Sequence, residues 1–178
     1  MSPPHLECIE GDGMSGDKWI DNLADKAKRH DEELSKQREI RVHQHDVIEQ
    51  KARTLWDALV SNVERDVHKF QQDFANDKGR SLEFDKTSSD AFRIHRADDL
   101  PIELVVHIDI PAGEIEFTQQ SSQNDVLSGT LFVQVDANDN LYLTRYGREF
   151  FDMADAARML LEPIFTLLST ERPPLSSR

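Results

Sequence analysis

Residues 17 to 78 contain neither proline nor glycine. Proline and glycine are the two residues that interrupt helices, so the whole run can form one. Ser15 or Asp17 can cap its start, and Gly79 stands where a left-handed residue would close it. About sixty helical residues at about 1.5 Å each span about 90 Å. A strand of about eight residues spans only about 27 Å. No sheet built from the remaining chain covers such a helix. Either the run bends back near Val42–Asp46 as a helical hairpin, or its first half lies uncovered and needs another chain.

The two halves of the run differ. In the second, Ile48, Ala52, Leu55, Trp56, Leu59, Val63, Val67, Phe70 and Phe74 recur mostly three or four apart, one wide apolar stripe. In the first, the apolar residues thin out after Ala27. Trp19, Ile20, Leu23, Ala27 and Leu34 are the candidate self-association residues. Asp25–Arg29 and Glu32–Lys36 place an acid four residues before a base, which supports a solvated helix. No heptad is sustained: Arg41 breaks the series Ile20, Ala27, Leu34, and His30, Gln37 and Gln44 are polar. That disfavours a long parallel coiled coil. It leaves a homodimer through a short antiparallel contact of the long helix.

Beyond Gly79 the apolar period changes to two. Leu82/Phe84, Phe92/Ile94, Ile102 to Ile110, Ile115/Phe117, Leu131 to Val135 and Leu141/Leu143 predict five to six strands. Pro111-Ala112-Gly113 and Asp136–Asn140 read as hairpin turns, so neighbouring strands run antiparallel in a meander. Ala156 to Leu168 then form a mostly apolar helix that covers one sheet face, capped by Asp152 and kinked or split near Glu162 by Pro163. The fold class is α+β. The reading gives a flexible leader at 1–16, a helical segment at 17–78, a domain of 79–170 together with 47–78, and a flexible tail at 171–178.

Charge narrows the functions. The chain has 178 residues, 34 acidic and 21 basic, a net charge of −13. Residues 81–178 hold seventeen acids against eight bases. Such a surface repels nucleic-acid backbones and anionic membranes, so neither is an expected partner. The single cysteine, Cys8, excludes an internal disulfide and multi-cysteine metal sites. No apolar run is long enough to cross a membrane, and no secretory signal is visible, so a soluble cytoplasmic protein is expected.

The motifs are weak. Gly11-Asp12-Gly13-Met14-Ser15-Gly16 has dinucleotide-loop spacing but no strand before it and no parallel sheet after it. Asp136–Asn140 opens like a calcium loop, but Leu141 and Gly147 replace the required glycine and glutamate. His43 and His45 point apart on an intact helix. No cofactor, metal or catalytic residue is expected. The polar sheet face gathers Arg93, His95, His107, Asp109, Glu116 and Tyr142 as a candidate partner face. The leading expectation is a non-enzymatic interaction and self-association module. The alternatives are a small-ligand binder with an apolar pocket between helices and sheet, lined by Phe70, Phe74, Phe117, Phe150, Phe151 and Phe165, and an acidic chaperone or inhibitor of a basic partner.

Overall fold

The computed structural model describes residues 16–75, 77, 80–96, 102–121 and 125–170. Residues 1–15 of the expected leader, Cys8 and Ser15 among them, lie outside the described residues, as do the tail and Gly79, while Gly16 is the first residue of the first helix. The chain divides into two units, one ending at Val42 and one beginning at His43.

Helix α1 runs Gly16–Asp73, 58 residues. It is unbroken through Val42–Asp46, so no hairpin turn forms there. It stops at Asp73, short of the expected 78, where the Phe74 amide still donates to the Phe70 carbonyl. In the unit up to Val42, every described side chain is exposed.

The second unit contains the rest of α1, a sheet and a second helix. The strands are β1 (Leu82–Asp85), β2 (Ala91–Arg96), β3 (Glu103–Asp109), β4 (Glu114–Gln120), β5 (Val126–Val135), β6 (Leu141–Arg145) and β7 (Arg148–Phe150). All neighbours pair antiparallel in sequence order, the expected meander. The count is seven rather than five to six. The added strand, Arg148-Glu149-Phe150, has one apolar residue and therefore no alternation to read. It is set by the Tyr146-Gly147 turn, where both residues take positive φ (49° and 77°), the geometry of a two-residue hairpin. Strand β5 also begins earlier than the pattern predicts, because Val126-Leu127-Ser128-Gly129-Thr130 does not alternate.

One face of the sheet is buried. Phe92, Ile94, Leu104, Val106, Ile115, Leu131 and Leu143 meet the stripe Ala52, Leu55, Trp56, Leu59, Val63 and Val67 of α1. Trp56 lies 5.5 Å from Phe92 between ring centroids, and its indole N–H donates to the Ser89 carbonyl at 2.9 Å. That bond satisfies the polar end of a fully buried ring. Helix α2, Met153–Thr170, packs on the same core through Ala156, Ala157, Leu160, Leu161, Ile164 and Leu168. Phe165 stacks on Phe70 of α1 with centroids 4.4 Å apart. Asp152 caps α2 as expected, accepting from the Ala154 amide at 2.8 Å. The helix does not split at Pro163. That residue is on its exposed side, and Leu160, Leu161, Ile164 and Leu168 are buried on either side of it.

At Gly129 side chains of the same sheet leave no room for a further carbon. A Cβ there would lie 2.6 Å from Phe117 Cζ and 2.8 Å from the Arg145 guanidinium. Phe117 is buried and cannot swing away freely. Gly129→Ala should therefore lower the unfolding free energy by about 1–3 kcal/mol. Trp56→Ala, which empties a packed site and strips a donor from Ser89, should cost about 3–5 kcal/mol. Urea titration of each variant measures both losses.

Candidate functional site

Three places in the described residues offer something other than fold maintenance. The first is the stripe on α1 before Val42. Trp19 and Ile20 are 60% and 57% exposed, Leu23 47% and Leu34 38%, and Ala27 is exposed too. At about 100° per residue these five fall within an arc of about 100°. The structure thus puts all the candidate self-association residues on one side of one helix. His30 and Gln37 interrupt the same stripe.

The second place is the outer face of the sheet. Strand alternation turns Glu83, Asp85, Arg93, His95, Glu103, Val105, His107, Asp109, Glu114, Glu116 and Phe132 to this side, opposite the core. Glu83, His95, Glu103 and Gln120 stand in register across β1 to β4. Arg93 meets Glu103 at 2.5 Å. The His95 ring lies 3.4 Å from Glu83 and 3.5 Å from Asp85. His107 faces Glu116 at 3.7 Å. Arg93, His95, His107, Asp109 and Glu116 are therefore brought together on β2 to β4. Tyr142 is on the same side but on β6, stacked on the exposed Phe151 at 4.7 Å. Asp109 and Glu114 stand directly opposite each other with no base between them in the register. Like charges so placed repel. Asp109 also accepts from the Ala112 amide at 3.0 Å and so holds the β3–β4 turn.

The third is a pair of open grooves beside α1 in the second unit. One, about 450 Å³, has a floor of Phe70, Leu161 and Phe165 and a rim that includes Lys69, Arg158 and Glu162. The other, about 340 Å³, lies by Leu55, Leu141, Phe151 and Met153. The six phenylalanines named for a single apolar pocket separate. Phe70, Phe74 and Phe165 cluster together, Phe117 lies under Arg145, Phe150 is buried on β7 and Phe151 stacks on Tyr142.

Two junctions were not legible in the sequence. Arg53 on α1 donates to Asp90 Oδ1 at 2.5 Å and to the Ser89 carbonyl at 2.8 Å, tying the helix to the β1–β2 turn. His43 reaches Asp139 Oδ1 at 2.9 Å, and Lys51 donates to the Asp139 carbonyl at 2.7 Å. Asp139 takes a positive φ of 59° in the β5–β6 turn, which turns that carbonyl into reach. Arg145 is the unusual cation. Its guanidinium lies over the Phe117 and Tyr146 rings at 4.6 and 4.9 Å and donates to Met159 Sδ, and its buried Nε has no hydrogen-bond partner among the described residues. Among the described residues no group of three His, Cys, Asp or Glu could hold a metal ion, and no helix is long and apolar enough to cross a membrane.

No protein-family model, no curated protein and no solved structure matches the chain.

Two carboxyls are held below the usual carboxylate range. For Asp90 the chief cause is the Arg53 hydrogen bond; for Asp136 it is the Asn140 amide, with the Asn140 side chain second. A depressed folded value favours the fold above the ordinary carboxylate value, and that contribution disappears as pH falls through the folded value. Asp90→Asn should therefore lose less stability than the parent between about pH 5 and pH 2, a difference that urea titrations at a series of pH values resolve. Glu114→Gln, which removes one side of the Asp109–Glu114 repulsion, should raise stability by a few tenths to about 1 kcal/mol in the same assay at neutral pH.

Proposed function

We propose that this protein is a non-enzymatic interaction module that self-associates through the segment of α1 before Val42. One observation carries the reading. A helical segment whose described side chains are all exposed presents Trp19, Ile20, Leu23, Ala27 and Leu34 on one arc. Helices in water owe most of their stability to packing of an apolar face. Covering these side chains removes apolar surface from water at about 25 cal/mol per Å². A second copy of the same stripe is the simplest cover, since two identical surfaces form a closed two-fold pair. On this reading the second unit is the body that the pairing brings together in twos.

A second reading rests on the sheet's outer face, where acids outnumber arginines and lysines and the exposed Val105 and Phe132 lie among them. A basic partner would find complementary charge there and apolar contact beneath it. This is the acidic chaperone or inhibitor alternative, and the two readings use different surfaces of the chain.

Sedimentation equilibrium at micromolar concentration separates them. Self-association predicts twice the chain mass for the parent protein. It also predicts that Leu23→Glu with Leu34→Glu weakens the dimer at least about 30-fold, equivalent to about 2 kcal/mol, with the circular dichroism of the second unit's sheet retained. A monomer mass across that range would overturn the reading.

A further inference from the structure

The outer face of the sheet changes character across its width. Over β1 to β4 most acids have a base beside them: Arg93 meets Glu103, His95 lies by Glu83 and Asp85, and His107 faces Glu116. Over β5 to β7 the face turns aromatic. Phe132 is 44% exposed although β5 is not an edge strand and has β4 and β6 on either side. Phe151, just past β7, is 61% exposed and stacks on Tyr142 with 20° between the rings. The register sets Phe132 opposite Thr144 and Gln134 opposite Tyr142, so Phe132 and Tyr142 are diagonal neighbours, about 7–8 Å apart. The three rings form one row.

Acids border this row and bases do not. Glu114 stands directly opposite Phe132, Asp109 directly opposite Glu114, and Glu149 directly opposite Thr144. Among the described residues that alternation places on this side of β4 to β7 there is no arginine, lysine or histidine. The occupant of such a face is set by its charge. Phosphate-bearing surfaces are repelled, and a purely apolar segment would cover Glu114 and Asp109 without supplying a counter-charge. A guanidinium meets both demands, since its flat cation stacks on a ring while its N–H groups reach a carboxylate. The inner face already makes the stacking contact, with Arg145 over Phe117 at 4.6 Å and Arg148 over Phe150 at 4.9 Å.

The spacing agrees. A cation within about 6 Å of the Phe132 ring is also within reach of Glu114, because side chains directly opposite start about 5 Å apart. It would relieve the repulsion between Glu114 and Asp109. A second cation over Tyr142 and Phe151 would lie beside Glu149. The two positions are about 7–8 Å apart, close to the spacing of about 6.7 Å between alternate residues of an extended chain. We propose that this aromatic row docks an extended segment of a partner protein that carries arginine at alternate positions. The proposal rests on the basic-partner reading and adds to it the place of contact and the side chain that makes it.

Fluorescence anisotropy on the full chain tests it with two dye-labelled, end-blocked peptides, one alternating arginine with glycine and one alternating lysine with glycine. The salt concentration is about 0.15 M, where exposed charges more than about 8 Å apart are screened. The arginine peptide should bind about tenfold more tightly than the lysine peptide. Phe132→Leu keeps an apolar side chain on the strand and removes the ring. It should weaken the arginine peptide about fivefold and leave the lysine peptide unchanged. Glu114→Gln should weaken both peptides, by about threefold or more. Equal affinity of the parent for the two peptides, or undiminished arginine binding by Phe132→Leu, overturns the proposal and leaves the basic-partner reading standing on charge alone. Absence of binding by either peptide overturns both.

Discussion

A sheet with one apolar face must be covered, and the extent of that cover decides everything else in this chain. The inner faces of β1 to β6 are mainly apolar, with Arg96, Gln119 and Arg145 among them, and α1 and α2 pack on their apolar side chains. In α1 burial begins at Val47 and recurs through Phe70. Trp56 is the anchor of that contact, packed on Phe92 and hydrogen-bonded to Ser89, with Arg53 fastening the same turn one helical turn earlier. These contacts define the second unit. Before Val47 the described side chains of α1 are all exposed, and the functional reading rests on that.

The helix before Val47 differs from an ordinary solvated helix in one respect. Its charges are dense and balanced, as solvation requires, and although Ala24, Ile40 and Val42 lie elsewhere on the circumference, five of its apolar residues are aligned. Trp19, Ile20, Leu23, Ala27 and Leu34 share one arc. Single exposed apolar residues are commonplace on folded proteins. Aligned ones, including a tryptophan, mark surfaces that meet something.

Much of this was legible in the sequence, for particular reasons. The absence of proline and glycine from 17–78 announced α1, and strict alternation announced β3, β4 and β6. The turn at Asp136–Asn140 was legible because Asp and Asn side chains bind nearby backbone amides in turns, and Asp136 does accept from the Asn138 and Asn140 amides. Strand β7 was not legible, since three residues carry no period. Neither was the early start of β5, whose Ser128 and Gly129 interrupt the alternation while the β4 partner supplies the ladder. The continuity of α1 and α2 was undecidable from propensity, because neither Val42–Asp46 nor Pro163 forbids helix once flanking residues are fixed. The arcs of the stripe and of the outer sheet face could be read in advance, since they need only a period. The ties from Arg53 to Asp90 and from Lys51 to Asp139 could not, since they join residues far apart in the chain.

Amide hydrogen exchange at residues 19–42, followed as the protein is diluted, tests the central claim most directly. A helix covered by a second copy should exchange slowly when concentrated and progressively faster on dilution, while the amides of Ala52 to Phe70 stay equally protected throughout. Exchange at 19–42 that is rapid at every concentration, or slow and independent of dilution, would contradict the account.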